Sequence, residues 1–190
     1  MEEDYWIDLA NQWQSLQTLA KAAESRNTPS WFLNQLPCGL YYTIDYNLVN
    51  NPKAGLIILG EVYRNLGNFE KDEQILLIGI LAKHPNAGPE ILSEILNKYG
   101  DDIEIIYSLI KNPSISPKDL VKIYEKYRNF DEENLDEDDF DFLYKIGINP
   151  KVPNHLLETI ITICQKNNVN PLYLVELIKN LEWKKNSKSE

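Results

Sequence analysis

The chain has 190 residues, of which 43% are apolar and 25% charged, a composition that excludes wholesale disorder. Its length fits one domain or one array of small repeats. The net charge of −10 disfavours partners that reward basic surfaces, so neither direct nucleic-acid binding nor membrane binding is expected.

In chain order, Trp6, Leu9, Trp13, Leu16 and Ala20 lay one apolar stripe along a predicted first helix, residues 4–24. Segment 29–66, carrying Phe32, Leu33, Leu36, Leu40, Tyr41, Ile44 and Leu48, reads as two short helices or partly 3₁₀ helix. Further helices are predicted at 71–83, 89–99, 101–111, 117–128, 138–148, 153–166 and 170–181. No strand alternation bounded by turn signals occurs, so a sheet is not expected. The fold class expected is all-α. One repeat domain spans 1–181, with an acidic insertion at 130–141 and a disordered Lys/Ser tail at 182–190.

One punctuation recurs between these helices: an apolar stretch, then Asn-Pro or His-Pro, a short link, a second Pro, and an amphipathic run. The copies are Leu81-Ala82-Lys83-His84-Pro85-Asn86-Ala87-Gly88-Pro89, Leu109-Ile110-Lys111-Asn112-Pro113-Ser114-Ile115-Ser116-Pro117 and Ile148-Asn149-Pro150-Lys151-Val152-Pro153. Weaker copies begin at Asn51-Pro52 and Asn27-Thr28-Pro29. The prolines at 52, 85, 113 and 150 lie 33, 28 and 37 residues apart, which implies links of variable length. Proline disfavours α geometry in the residue before it, so the first Pro ends a helix at Asn or His. The second suits the first position of the next helix. Ser116, with Asp119 three residues on, has the form of a capping box. One helix pair cannot bury its apolar face alone, so successive pairs are expected to stack. If they stack in register, Glu94, Lys122 and Glu158 form a charge ladder across copies.

Ala82-Lys83-His84-Pro85-Asn86-Ala87-Gly88-Pro89-Glu90-Ile91-Leu92 and Asn149-Pro150-Lys151-Val152-Pro153-Asn154-His155-Leu156-Leu157 resemble the bacterial leucine-rich repeat variant family. The resemblance spans roughly residues 18–165 and implies an α-solenoid in which helices alternate with short or 3₁₀ helices. The iron–sulfur archetype of that family carries a preceding cysteine cluster, which this chain lacks. The resemblance therefore implies fold and little chemistry.

Chemistry-bearing residues are few. His84 stands where the other copies have Asn51, Asn112 and Asn149, and a slot open to Asn or His suits a side chain bonding backbone at a helix end. Only one other histidine, His155, exists, so a His-rich zinc site is not available. Two cysteines are too few for a disulfide scaffold or a four-thiolate site. Cys164 lies in an apolar helical run and is expected buried and inert. Cys38, between Pro37 and Gly39, is expected to be exposed, with no local base to activate it. No P-loop, dinucleotide fingerprint or GxSxG elbow occurs, so no catalytic residue and no cofactor are expected.

Eight acids fall within Asp131–Asp141 and leave the rest of the chain close to neutral. No glycine lies between Gly100 and Gly147, against a calcium loop of EF-hand type. A solvated insertion is expected instead, mobile near Glu133–Glu137 and anchored at Phe140 and Phe142. Trp31, Asp136, Glu137, Asp138, Asp139 and Trp183 are the candidate protein-binding residues, and no metal ligand is expected. No apolar run approaches the ~18 residues of a spanning helix. The acidic start Met1-Glu2-Glu3-Asp4 is not that of a secretory signal, and the cytoplasm is the expected compartment. The functions that fit are a non-enzymatic helical-repeat scaffold that binds another protein, or an acidic inhibitor seated in the basic groove of a nucleic-acid-binding protein. An enzyme with a dispersed site is a third reading.

Overall fold

The computed structural model describes residues 16–128, 134–167 and 169–187. Every regular element among them is helical, and the chain divides into two compact units, residues 1–95 and 96–190. The stripe positions Trp6, Leu9 and Trp13 lie outside the described residues. No described helix is long and apolar enough to cross a membrane.

The first unit contains α1 (Leu16–Glu24), α2 (Ser30–Leu33), α3 (Tyr42–Asn50), α4 (Leu56–Asn65), a 3₁₀ turn (Leu66–Asn68) and α5 (Lys71–Lys83). Helix α6 (Pro89–Tyr99) begins in this unit and ends in the second. Segment 29–66 thus resolves into three helices, one of them only four residues long. Helix α3 packs against α1, α4 and α5. Ile44, Leu48 and Val49 of α3 are fully buried, as are Ala23 of α1, Leu59 and Val62 of α4 and Leu77, Ile78 and Leu81 of α5. Burying one such Leu or Ile contributes roughly 1.5–3 kcal/mol, so these faces hold the unit together.

The second unit contains α7 (Ile103–Lys111), α8 (Pro117–Tyr127), α9 (Glu137–Gly147), α10 (Asn154–Lys166) and α11 (Pro171–Asn186). Helix α9 packs against α7, α10 and α11. Its close approach to α11 requires Gly147, where a Cβ would come within 2.4 Å of the Leu177 side chain. Ile106, Leu109, Leu143, Ile146, Leu157, Ile160 and Leu177 are all fully buried.

The Pro-bracketed corners hold the polar structure of both units. Asn51, His84 and Asn112 each end a helix with nearly the same backbone, ψ 115°, 123° and 124°, the extended geometry that a following proline demands. Each side chain accepts from the backbone N–H two residues on: Asn51 from Lys53, His84 from Asn86, Asn112 from Ser114, and likewise Asn149 from Lys151. Three of them also reach back to the preceding copy. Asn51 Nδ2 donates to the carbonyls of Ala23 and Ser25, His84 Nε2 to that of Asn51, and Asn149 Nδ2 to those of Ile110 and Asn112. One side chain closes its own corner and ties it to the corner before.

Other expectations are modified. Pro117 and Pro171 sit inside the first turn of α8 and α11, but Pro153 is itself the N-cap of α10. Ser116 accepts from the Asp119 N–H at 3.1 Å and donates its hydroxyl proton to the Asp119 carboxylate. The ladder of Glu94, Lys122 and Glu158 is not the pairing found, because Lys122 donates to Asn97 and Glu158 pairs with Lys185 at 2.8 Å. Residues 182–186, expected in a disordered tail, continue α11, which runs to Asn186. No proline or glycine interrupts Glu182–Asn186, and lysines in a last turn suit the helix dipole.

Asn149 is 3% exposed, and Asn149→Ala takes its partner from the Ile110 carbonyl and the Lys151 N–H, while the Asn112 carbonyl keeps the Ile115 N–H. Urea unfolding should show a loss of about 1–3 kcal/mol. His84→Asn, which keeps both an acceptor and a donor, should lose far less.

Candidate binding groove

The second unit carries a groove of about 460 Å³, built from corners. Pro117 comes from the corner that starts α8, and Pro150, Val152 and Pro153 from the corner held by Asn149. Val152 is 1% exposed and its N–H donates to the Asn149 carbonyl, which fixes the base of the wall. Asn154 and His155 of the first turn of α10 continue it.

The opposite wall is the last turn of α11: Trp183, Lys184 and Ser187. Lys184 is 9% exposed and its ammonium donates to the Pro150 carbonyl, 34 residues back. Asn86 bonds the Pro52 carbonyl across the same separation in the first unit. Lys184 therefore does for the last copy what Asn86 does earlier, but from a helix that keeps going instead of turning into a corner. Trp183 is left 62% exposed beside the proline rings.

The sequence candidates separate. Trp183 lines the groove, and Asp136, Glu137, Asp138 and Asp139 do not. Asp136 and Glu137, expected to be mobile, are the N-cap and first residue of α9, and Asp138 and Asp139 complete its first turn. Asp136 accepts from the Asp139 N–H at 2.8 Å and Asp139 returns the contact to the Asp136 N–H. Free N–H groups and the positive end of the dipole make a helix start the favourable place for carboxylates. Phe130 and residues 131–133 lie outside the described residues. Phe142 is 6% exposed and packs on the rings of Tyr107 and Tyr127, so the anchored edge is present. In the first unit, Trp31 is 43% exposed and meets buried Phe32 edge to face at 5.7 Å.

His84 is placed against catalysis. It is 5% exposed, its Nδ1 accepts from the Asn86 N–H at 3.1 Å, and its proton therefore sits on Nε2, facing the Asn51 carbonyl. Burial lowers its pKa from the usual 6.5, opposed in part by the bond to Asn51. Cys164 is buried and its thiol is raised to about 11 by that burial. Cys38 is half-buried rather than exposed. Burial foremost, then the charges of Asp45 and Glu61, raise its thiol to about 12, where no nucleophilic thiolate forms. Among the described residues no three His, Cys, Asp or Glu side chains converge as a metal would need.

Asp45 is the polar residue that sequence reasoning missed. It is fully buried, one oxygen accepts from the Gly39 N–H at 2.8 Å, and the other has no hydrogen-bond partner. Gly39 has φ +77°, and a Cβ there would lie 2.5 Å from that of Asn65, so only glycine fits the turn that Asp45 clasps. The one available signal was the tight Pro37-Cys38-Gly39 turn with an acid six residues on.

No family model matches the chain, and comparison with curated proteins and with solved structures finds no match.

Burial raises the Asp45 carboxyl from 3.8 to about 6, the Gly39 N–H pulling the other way. The fold then takes up this proton before the unfolded chain does. Its contribution to stability is complete below pH 3.8 and is lost as pH rises through 6. Asp45→Asn, which keeps an acceptor for Gly39, should gain about 1–3 kcal/mol at pH 7.5 relative to its effect at pH 4.5. Urea midpoints of both proteins at the two pH values test this, and equal effects at both would contradict it.

Proposed function

We propose that the chain is a non-enzymatic α-solenoid of stacked helix pairs, similar in kind to the leucine-rich repeat variant family, that binds another protein through the surface its corners create. The supporting observation is how the corner side chains are used. Asn51, His84 and Asn149 turn inward to bond backbone of the preceding copy, and the surface left outside is the apolar, proline-walled groove at Trp183. His155 and Ser187 line this concavity, but no Asp, Glu or Cys stands beside them in it and no His, Cys, Asp or Glu cluster converges among the described residues, which suits recognition better than catalysis. In this reading the protein works in the cytoplasm, needs no cofactor, and contacts neither nucleic acid nor membrane directly.

The second reading, an acidic inhibitor in the basic groove of a nucleic-acid-binding protein, draws on Glu137 and Asp138, which are exposed in the first turn of α9. Asp136 and Asp139 hold each other's backbone, which leaves half of that cluster serving the helix itself.

Photo-crosslinking in the native host separates the readings. With p-benzoylphenylalanine in place of Trp183, a discrete protein adduct is expected, and in place of Trp31 none. Glu137→Gln combined with Asp138→Asn should leave the adduct yield unchanged. Loss of the adduct in that double variant would favour the acidic inhibitor.

A further inference from the structure

If the groove at Trp183 is where a partner docks, its chemistry identifies the partner's segment. Lys151, His155 and Lys184 line it and no Asp or Glu does, in a chain whose net charge is −10. Lys184 is drawn onto the Pro150 carbonyl, whereas Lys151 and His155 are exposed. Glu158, one turn along α10 from His155, is paired with Lys185 at 2.8 Å, and charges farther off than ~8 Å are largely screened at physiological salt. The apolar share comes from three proline rings, Val152 and the Trp183 indole. Proline has no N–H, so Pro117, Pro150 and Pro153 offer no donor for pairing with a partner's backbone. Recognition here must run through side chains.

We infer that this groove binds an extended segment of a partner protein in which one or two carboxylates flank a large apolar side chain. The apolar side chain lies against the proline rings and Trp183, and the carboxylates face Lys151 and His155. This rests on the reading of the chain as a partner-binding protein and adds the charge and shape of what it takes. A single exposed tryptophan in an apolar setting is the residue type that dominates such interfaces.

The test is selection of a phage-displayed library of random dodecapeptides on the immobilised full chain, in buffer of physiological ionic strength. Enriched peptides are then made with a fluorescein label and titrated by anisotropy. Peptides carrying Asp or Glu beside Leu, Ile, Pro or an aromatic residue should emerge. Their affinity should fall at least tenfold in Lys151→Glu and in Trp183→Ala, and stay unchanged in Trp31→Ala. Both altered residues are exposed, and circular dichroism confirms that the variants fold. Enrichment of basic or uncharged peptides, or of acidic ones indifferent to Lys151→Glu, overturns the inference and leaves partner binding standing. Labelled single-stranded oligonucleotide that binds and is lost in Lys151→Glu also overturns it. If no peptide enriches, the inference and the partner-binding reading fall together.

Discussion

The structure depends on one side chain per corner that bonds in two directions. A proline after Asn51, His84, Asn112 or Asn149 stops the helix and leaves backbone groups without helical partners. Buried and unpaired, each would cost about 1–3 kcal/mol. The Asn or His at the stop accepts the N–H two residues on, and at Asn51, His84 and Asn149 its other polar edge serves carbonyls of the copy before it. One side chain thus completes its own turn and ties it to an earlier corner. Asn51 and His84 are 33 residues apart, Asn112 and Asn149 are 37 apart, and both pairs are hydrogen-bonded. The longer separation leaves the bond from Asn149 to the Asn112 carbonyl in place, and the Leu135 N–H is tied to Asn167.

The groove follows from how α11 meets the corner at Pro150. Helix α11 carries no Asn-Pro stop, so it continues through Trp183 and Lys184. Lys184 supplies the bond to the previous corner that an asparagine supplies elsewhere, and its neighbour Trp183 cannot be buried with it. A proline-walled corner is covered by one helical turn rather than by another corner. The opening beside Trp183 is the consequence.

Helix positions were legible in the sequence because a proline marks one end of most of them. Both ends of α5 and α6, and the C-terminal end of α7, agree with the prediction to the residue. The slot shared by Asn and His pointed to a backbone partner, and the structure names it. What composition hid was context. Asp136 and Glu137 read as mobile loop because charge density was visible and their fit to the start of the helix predicted from 138 was not. The tail beyond 181 read as disordered because lysine-rich ends often are, while the carbonyl waiting for Lys184 lies 34 residues away. Asp45 was missed for the same reason: a buried carboxylate held by a glycine N–H leaves no pattern along the chain. The groove has no motif either, since its lining comes from three separate segments.

The central claim is that the corner side chain bonds both ways, and His84 is the one corner residue whose protonation reports it. Long-range ¹H–¹⁵N correlation spectra of the imidazole, followed from pH 8 to pH 5, measure this directly. The account predicts a neutral ring with its proton on Nε2 and Nδ1 accepting, and a titration midpoint below 6.5. A proton on Nδ1, or an ordinary titration at 6.5 or above, would contradict it.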